Sequence, residues 1–144
     1  MNKIVIESKI DACTELLHKM KHILAEHAKN KVLQEFLLYA AEKKAEEIVE
    51  LAVSINQELL RDKGKLGLSY YDSFTNLRVF GAFTEDELKL LASTAGFRNR
   101  LAHEYLDVNA DVALKSMKKM LQIYPPYLMN VTKIISTFSG KNLV

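Results

Sequence analysis

The densest set of functional side chains in this chain lies in one short segment, which holds Arg98, Asn99, Arg100, His103 and Tyr105. An imidazole exchanges protons near neutral pH, and a guanidinium offers a planar fork of N–H donors to phosphate oxygens. Together these groups suit metal-independent cleavage of RNA, in which the 2′-hydroxyl loses a proton and the phosphorane gains negative charge. The segment is therefore the first place to look for chemistry.

Helical geometry divides these side chains between two faces. At about 100° per residue, Asn99 and His103 lie about 40° apart, and Arg98 and Tyr105 lie about 20° apart. Arg98 and His103 lie about 140° apart, so one helix does not stack them directly. A site completed by two copies around a two-fold axis fits this spacing. A buried polar network that joins helices within one chain is the alternative interpretation.

The run from Arg98 to Tyr105 resembles the Arg-x4-His-x-Tyr signature of HepT-like proteins in the HEPN superfamily. The segment from Lys65 to Leu77 looks like that family's turn and short helix, and the resemblance covers roughly residues 30 to 120. It implies a toxin of a type VII toxin–antitoxin pair that forms a homodimer. Such a protein cuts RNA, either tRNA or mRNA, with no metal and no cofactor.

Carried over to this chain, the resemblance assigns roles within the signature. Arg98 binds the scissile phosphate and His103 is the acid–base residue, while Asn99 and Arg100 support them. Tyr105 is the residue to which an MNT-type nucleotidyltransferase antitoxin transfers AMP. The added charge and bulk, two residues from His103, would keep RNA away. The alternative is a catalytically weak HEPN-fold binding module that pairs with the nucleotidyltransferase.

The composition favours long helices. The chain has 144 residues, of which only 5 are Gly and 2 are Pro, and 49% are hydrophobic. We therefore expect an all-α protein, with residues 1–144 forming a single domain. The resemblance implies that it is an up-and-down bundle of four to five helices of HEPN type. No window approaches the roughly 18 apolar residues of a membrane span, and no signal peptide is recognisable, so we expect a soluble cytoplasmic protein without a membrane partner.

The charge permits a nucleic-acid partner without demanding one. The net charge is +2, whereas dedicated nucleic-acid binders usually carry a larger excess. From residue 110 to residue 144 the balance is five lysines against one aspartate, a local +4, and a solvated helix face is the expected explanation. These residues are Lys115, Lys118, Lys119, Lys133, Lys141 and Asp111.

Two long helices are predicted before the signature. Residues 4–28 repeat apolar side chains at heptad spacing, and residues 32–61 do the same with several alanines, which let a neighbouring backbone approach closely. Residues 28–31 form the expected corner between them. Ser69 is then expected to cap a short helix that Gly81 closes.

The helix that carries the signature begins with a capping box formed by Thr84 and Glu87, and it is predicted to run to about Tyr105. Gly96 lies inside this helix and suggests a close approach of another backbone.

Asn109 or Asp107 is expected to cap the last helix, and Pro125 and Pro126 are expected to break or sharply kink it.

Cys13 and the pair His18 and His22 are two other candidate sites, and for both we expect no catalytic or metal-binding role. Cys13 is the only cysteine, so no intrachain disulfide forms, and its heptad position predicts a small core residue instead of a nucleophile. His18 and His22 have the i, i+4 spacing that can share a metal ion. No second ligand cluster accompanies them, so we expect solvated side chains and no metal site.

Overall fold

Five α-helices and one short 3-10 helix form the regular structure of the described residues, which are 1–65, 67–103 and 108–138 of a computed structural model. The α-helices are α1 (Lys3–Lys29), α2 (Gln34–Arg61), α3 (Tyr70–Thr75), α4 (Glu85–Ala102) and α5 (Ala110–Phe138). The 3-10 helix (Asn76–Phe80) follows α3 directly. The predicted all-α class is thus confirmed for these ranges.

The first two helices form an antiparallel hairpin. The Met1 amino group lies 2.6 Å from a carboxylate oxygen of Asp62, so the start of α1 meets the end of α2. At the corner, α1 ends one residue beyond the prediction, and the Asn30 side chain accepts a hydrogen bond from the Leu33 amide. Most of the predicted seam is buried on both helices, while Ile10 and Leu38 are half-buried. Its fully buried members include Ile6, Cys13, Met20, Ala41, Ala45 and Ala52.

A buried polar network ties α2, α3 and α5 together. The Tyr127 hydroxyl donates to Asn56 Oδ1 at 2.6 Å and lies 3.1 Å from the Ala52 carbonyl oxygen. Asn56 in turn donates to the Ser73 hydroxyl, which donates to the carbonyl of Tyr70. Because every member of a buried polar network needs a partner, this chain of bonds fixes where α3 lies on α2. It thereby positions Tyr70 beside the signature helix.

The last helix corrects one prediction. α5 runs without interruption through Pro125 and Pro126, so the prolines do not end it. Both prolines are exposed, while the tyrosines on either side of them, Tyr124 and Tyr127, are buried and hydrogen-bonded. Tertiary packing therefore holds the helix across the hydrogen bonds that proline cannot make. Asn109 is its cap, because its side chain accepts from the amides of residues 111 and 112.

The signature helix also differs from the prediction. Its start is confirmed, because the Thr84 hydroxyl accepts from the Glu87 amide and the Glu87 carboxylate accepts from the Thr84 amide. Its end is earlier than predicted, at Ala102, with His103 already in an extended conformation. Gly96 is exposed, and a Cβ placed there would meet nothing within 4 Å, so no other backbone of the described residues approaches it closely.

None of the helices in the described ranges is both long and apolar enough to span a lipid bilayer.

Candidate active site

The C-terminal half of α4 carries the candidate residues, and its buried face anchors them. Phe97 is 3% exposed, and Thr94 donates to the Leu91 carbonyl and shares a buried hydrogen bond of 2.8 Å with the Tyr124 hydroxyl. This face locks the rotation of α4 about its own axis. The side chains of residues 98–100 are consequently presented in fixed directions.

Arg98 is held from two sides by other helices. Its Nη2 lies 2.6 Å from a carboxylate oxygen of Glu50 on α2, a charge-assisted hydrogen bond. The guanidinium carbon also lies 5.0 Å from the ring centroid of Tyr70 on α3, which is cation–π distance. With 23% of its side chain exposed, Arg98 is a partly desolvated and oriented cation.

The electrostatics keep Arg98 charged and leave it donors to spare. The hydrogen bond that Arg98 donates to Glu50 raises the pKa of Arg98, with the charge of Glu50 acting in the same direction. Nη1 makes a long contact of 3.4 Å to Asn99, and the buried Nε has no acceptor in the part of the chain that the structure describes. Because Nε is buried, the N–H groups left for an incoming phosphate are those of the two terminal nitrogens that do not bond Glu50 or Asn99.

His103 stands at the end of α4. Its backbone amide donates to the Asn99 carbonyl at 3.3 Å, so the residue closes the last helical turn while its own backbone leaves the helix. The residue as a whole is exposed. An imidazole is the side chain best suited to exchange a proton with RNA near neutral pH.

The structure brings some predicted site residues together and separates others. Arg98 and Asn99 are in contact, and Asn99 is linked to His103 through the backbone. Arg100 faces away from this group and lines the groove between α4 and α5. The structure therefore does not bring it together with Arg98, and the predicted supporting role of Arg100 stays a prediction.

Tyr105, the predicted modification site, lies outside the described residues. Tyr105 was expected to share a helical face with Arg98, but α4 ends at Ala102. The predicted angles between side chains around one helix therefore apply to residues 98–102 only.

Sequence reasoning missed Glu50 and Tyr70, the two residues that orient Arg98. Glu50 lies 48 positions and Tyr70 lies 28 positions before Arg98 in the sequence, so no local spacing rule connects them to it. One signal was available: Glu42, Glu46 and Glu50 form a row at i, i+4 spacing on the alanine-rich helix α2. The pKa of Glu42 is raised by burial and by Glu46, as expected where acids crowd on one face. Such a row of acidic side chains predicts a cationic side chain on a neighbouring helix.

The other candidates behave as structural residues. Cys13 is fully buried, and burial raises its pKa to about 12, so the predicted core role is confirmed. His18 and His22 are exposed on α1. Among the residues that the structure describes, no group of three or more His, Cys, Asp or Glu side chains is placed to hold a metal ion.

Comparison with known proteins places this fold and signature in a family. A family model described as "Ribonuclease HepT-like" matches residues 4–132. This chain belongs to the Ribonuclease HepT-like family. One curated relative, the tRNA nuclease HepT of Aphanizomenon flos-aquae (strain 2012/KM1/D3), is 32% identical over 97 residues. The alignment covers 66% of this chain and 65% of the relative, so the chain spans just under two thirds of that relative's length.

A solved structure shares the fold. The tri-AMPylated HEPN toxin of Shewanella oneidensis, in complex with MNT antitoxin, superposes with a TM-score of 0.74 at 19% identity. The superposition covers 92% of this chain and 99% of the other. The predicted helical bundle of HEPN type is confirmed by this likeness.

Proposed function

We propose that this chain is a metal-independent endoribonuclease, the toxin of a HEPN/MNT toxin–antitoxin pair, and that Arg98 and His103 do the chemistry. The observation that carries the proposal is the orientation of Arg98 by Glu50 and Tyr70 on the same helix end that carries an exposed His103. The family and the name of the curated tRNA nuclease support RNA as the substrate. tRNA is the favoured class of RNA substrate, and mRNA is the alternative.

The proposed reaction is an internal transfer at one phosphate. The RNA 2′-oxygen loses its proton and forms a bond to the adjacent phosphorus, while the bond from phosphorus to the 5′-oxygen breaks. His103 accepts the first proton or delivers one to the leaving 5′-oxygen, and water exchanges the other proton. The products of this attack are a 2′,3′-cyclic phosphate and a 5′-hydroxyl. Arg98 stabilises the added charge on the non-bridging oxygens through its planar fork, with Asn99 holding that fork.

We propose further that two copies complete each site. On an ideal helix Arg98 and His103 would lie about 140° apart, and His103 leaves α4 with an extended backbone, so the helix of one copy does not stack the two side chains. In a two-fold dimer, Arg98 of one copy and His103 of the other can converge on one phosphate, and symmetry creates this pairing twice.

Tyr105 provides the proposed means of control. An MNT-type nucleotidyltransferase would join the Tyr105 oxygen to the α-phosphate of ATP and release pyrophosphate. The name of the Shewanella complex, which pairs an AMPylated HEPN toxin with an MNT antitoxin, supports this partner. AMP bound two residues from His103 would add negative charge and bulk where RNA must bind. Peptide mass mapping after incubation with ATP and the transferase tests this, and an unmodified Tyr105 contradicts it.

The central experiment is RNA cleavage by the purified protein in EDTA. We expect cleavage to persist in EDTA and to fall by about 100-fold or more in Arg98→Ala and His103→Ala tested separately. Circular dichroism of both variants is the control for folding. Cleavage that survives in both variants contradicts the site assignment. Absence of cleavage by the unaltered protein, with retained binding to the nucleotidyltransferase, favours the weak HEPN-fold binding module instead.

A further inference from the structure

A second concave surface lies between α4 and α5, on the side of α4 opposite to Arg98. Arg100 points there because two residues rotate a side chain by about 200° around a helix. The groove has a volume of about 360 Å³ and is lined by the cations of Arg100, Lys115 and Lys119 together with the hydroxyls of Ser93 and Ser116. We call it the basic groove.

The cations of the basic groove lie together with no carboxylate among the described residues that line it. On α1 and α2, by contrast, four of the seven lysines form ion pairs with glutamates of their own helix. These pairs are Lys3–Glu7, Lys19–Glu15, Lys43–Glu46 and Lys44–Glu47. Arg100, Lys115 and Lys119 form no ion pair within residues 1–65, 67–103 and 108–138.

This clustering of charge does not help the fold. Lys115 and Lys119 are i, i+4 neighbours, and like charges at that spacing destabilise a helix. Arg100 adds a third cation from the facing helix. The floor beneath them is closed by Phe97 and by the buried Thr94–Tyr124 hydrogen bond, so a ligand must lie along the surface. An extended anion with several charges matches this shape.

We propose that the basic groove binds backbone phosphates of RNA that flank the cleaved bond. The inference rests on the proposed nuclease function, because it takes RNA as the ligand. Arg100 and Arg98 lie on opposite sides of the same helix end, so phosphates held in the groove would flank the phosphate bound at Arg98. Arg100 is then a binding residue that holds the substrate and takes no part in bond breaking. The groove contributes affinity without base specificity.

The test compares two charge-matched double variants on α5. Lys115→Gln/Lys119→Gln alters the groove, and Lys118→Gln/Lys133→Gln removes the same charge outside it. Both are made in a His103→Ala background to prevent cleavage. Binding of a fluorescent single-stranded oligoribonucleotide is then measured over a range of KCl concentrations. All four lysines are exposed, so the variants should fold, and thermal unfolding by circular dichroism verifies it.

We expect the groove variant to bind RNA about tenfold more weakly at physiological salt, with the slope of log K against log [KCl] reduced by about 1.4, or about 0.7 per lost phosphate contact. The control variant should keep most of the original slope. Unchanged affinity and slope in the groove variant, or an equal loss in the control, overturn the proposal.

Failure of the groove and failure of the nuclease are separable. If the unaltered protein binds RNA through the groove and cuts none, the groove proposal stands and the nuclease proposal fails. If it cuts RNA while the groove variant binds like the parent, the groove proposal alone is wrong. A groove variant that keeps RNA affinity but loses affinity for an MNT-type nucleotidyltransferase also overturns it, because the groove is then a protein-binding surface.

Discussion

Arg98 and Arg100 are two residues apart on α4, yet their surroundings differ strongly. Arg98 is 23% exposed, ion-paired to Glu50 and placed over the Tyr70 ring. Arg100 is exposed and lines a groove whose other charged residues are lysines. One arginine is held in a fixed orientation by oppositely charged and aromatic neighbours. The other contributes to a positive field that any anion can enter.

The difference separates two uses of the same side chain. Stabilising a transition state requires donors that are already oriented, because reorientation during the reaction costs free energy. Binding a phosphate backbone requires only positive charge at the right place, because the favourable free energy comes mainly from the release of counterions. The protein thus places a candidate catalytic arginine and a candidate binding arginine on opposite faces of one helix end.

Exchange of arginine for lysine should separate the two roles most strongly. Lysine keeps the charge and loses the planar fork. We expect Arg98→Lys to slow RNA cleavage at saturating substrate by about 100-fold, and Arg100→Lys to leave both rate and half-saturation within about twofold. Single-turnover kinetics on both variants provides the measurement. If the two exchanges slow cleavage equally, the two arginines do not have the different roles proposed for them.

Loss of the orienting carboxylate should have a smaller effect. Glu50→Gln removes the negative partner of Arg98 while keeping its shape, and we expect the saturating cleavage rate to fall by about five- to tenfold, a cost of about 1 kcal/mol. The free energy of unfolding should change by less than about 1 kcal/mol, since both partners are partly exposed. Glu47→Gln on the same helix is the matched control. A change in half-saturation alone would contradict a positioning role for Glu50.

The smallest effect is expected at Tyr70. Tyr70→Ala removes the ring beneath Arg98 and should slow cleavage by about threefold, whereas Tyr70→Phe keeps the ring and should retain the rate. The ratio of the two rates at saturating RNA is the quantity to measure. If Phe and Ala are equally slow, the phenolic hydroxyl matters and the cation–π interpretation is wrong.

Local signals in the sequence predicted most of the fold. Caps such as Ser69, Thr84 and Asn109 act within one helical turn, so their identity and spacing are sufficient to place a helix start. The heptad seam of α1 and α2 is likewise a local pattern with a direct consequence for burial. The signature itself marked Arg98 and His103 as candidates because it is compact in sequence.

Features that depend on contacts distant in sequence could not be predicted. Pro125 and Pro126 stay inside α5 because buried tyrosines beside them pack on other helices, which overrides a local rule. Glu50 and Tyr70 reach Arg98 only after α2 and α3 have packed against α4. The basic groove needs α4 and α5 side by side, so its lysines were expected to be no more than a solvated helix face.

Subunit mixing tests most directly whether Arg98 and His103 form a metal-free site completed by two copies. Arg98→Ala and His103→Ala proteins, each inactive alone, are unfolded and refolded together, and RNA cleavage is measured in EDTA with light scattering to confirm dimers. We predict recovery of about a quarter of the unaltered activity, because half of the dimers are mixed and each holds one intact pairing. A mixture that forms dimers and stays as inactive as its two components would contradict the shared site.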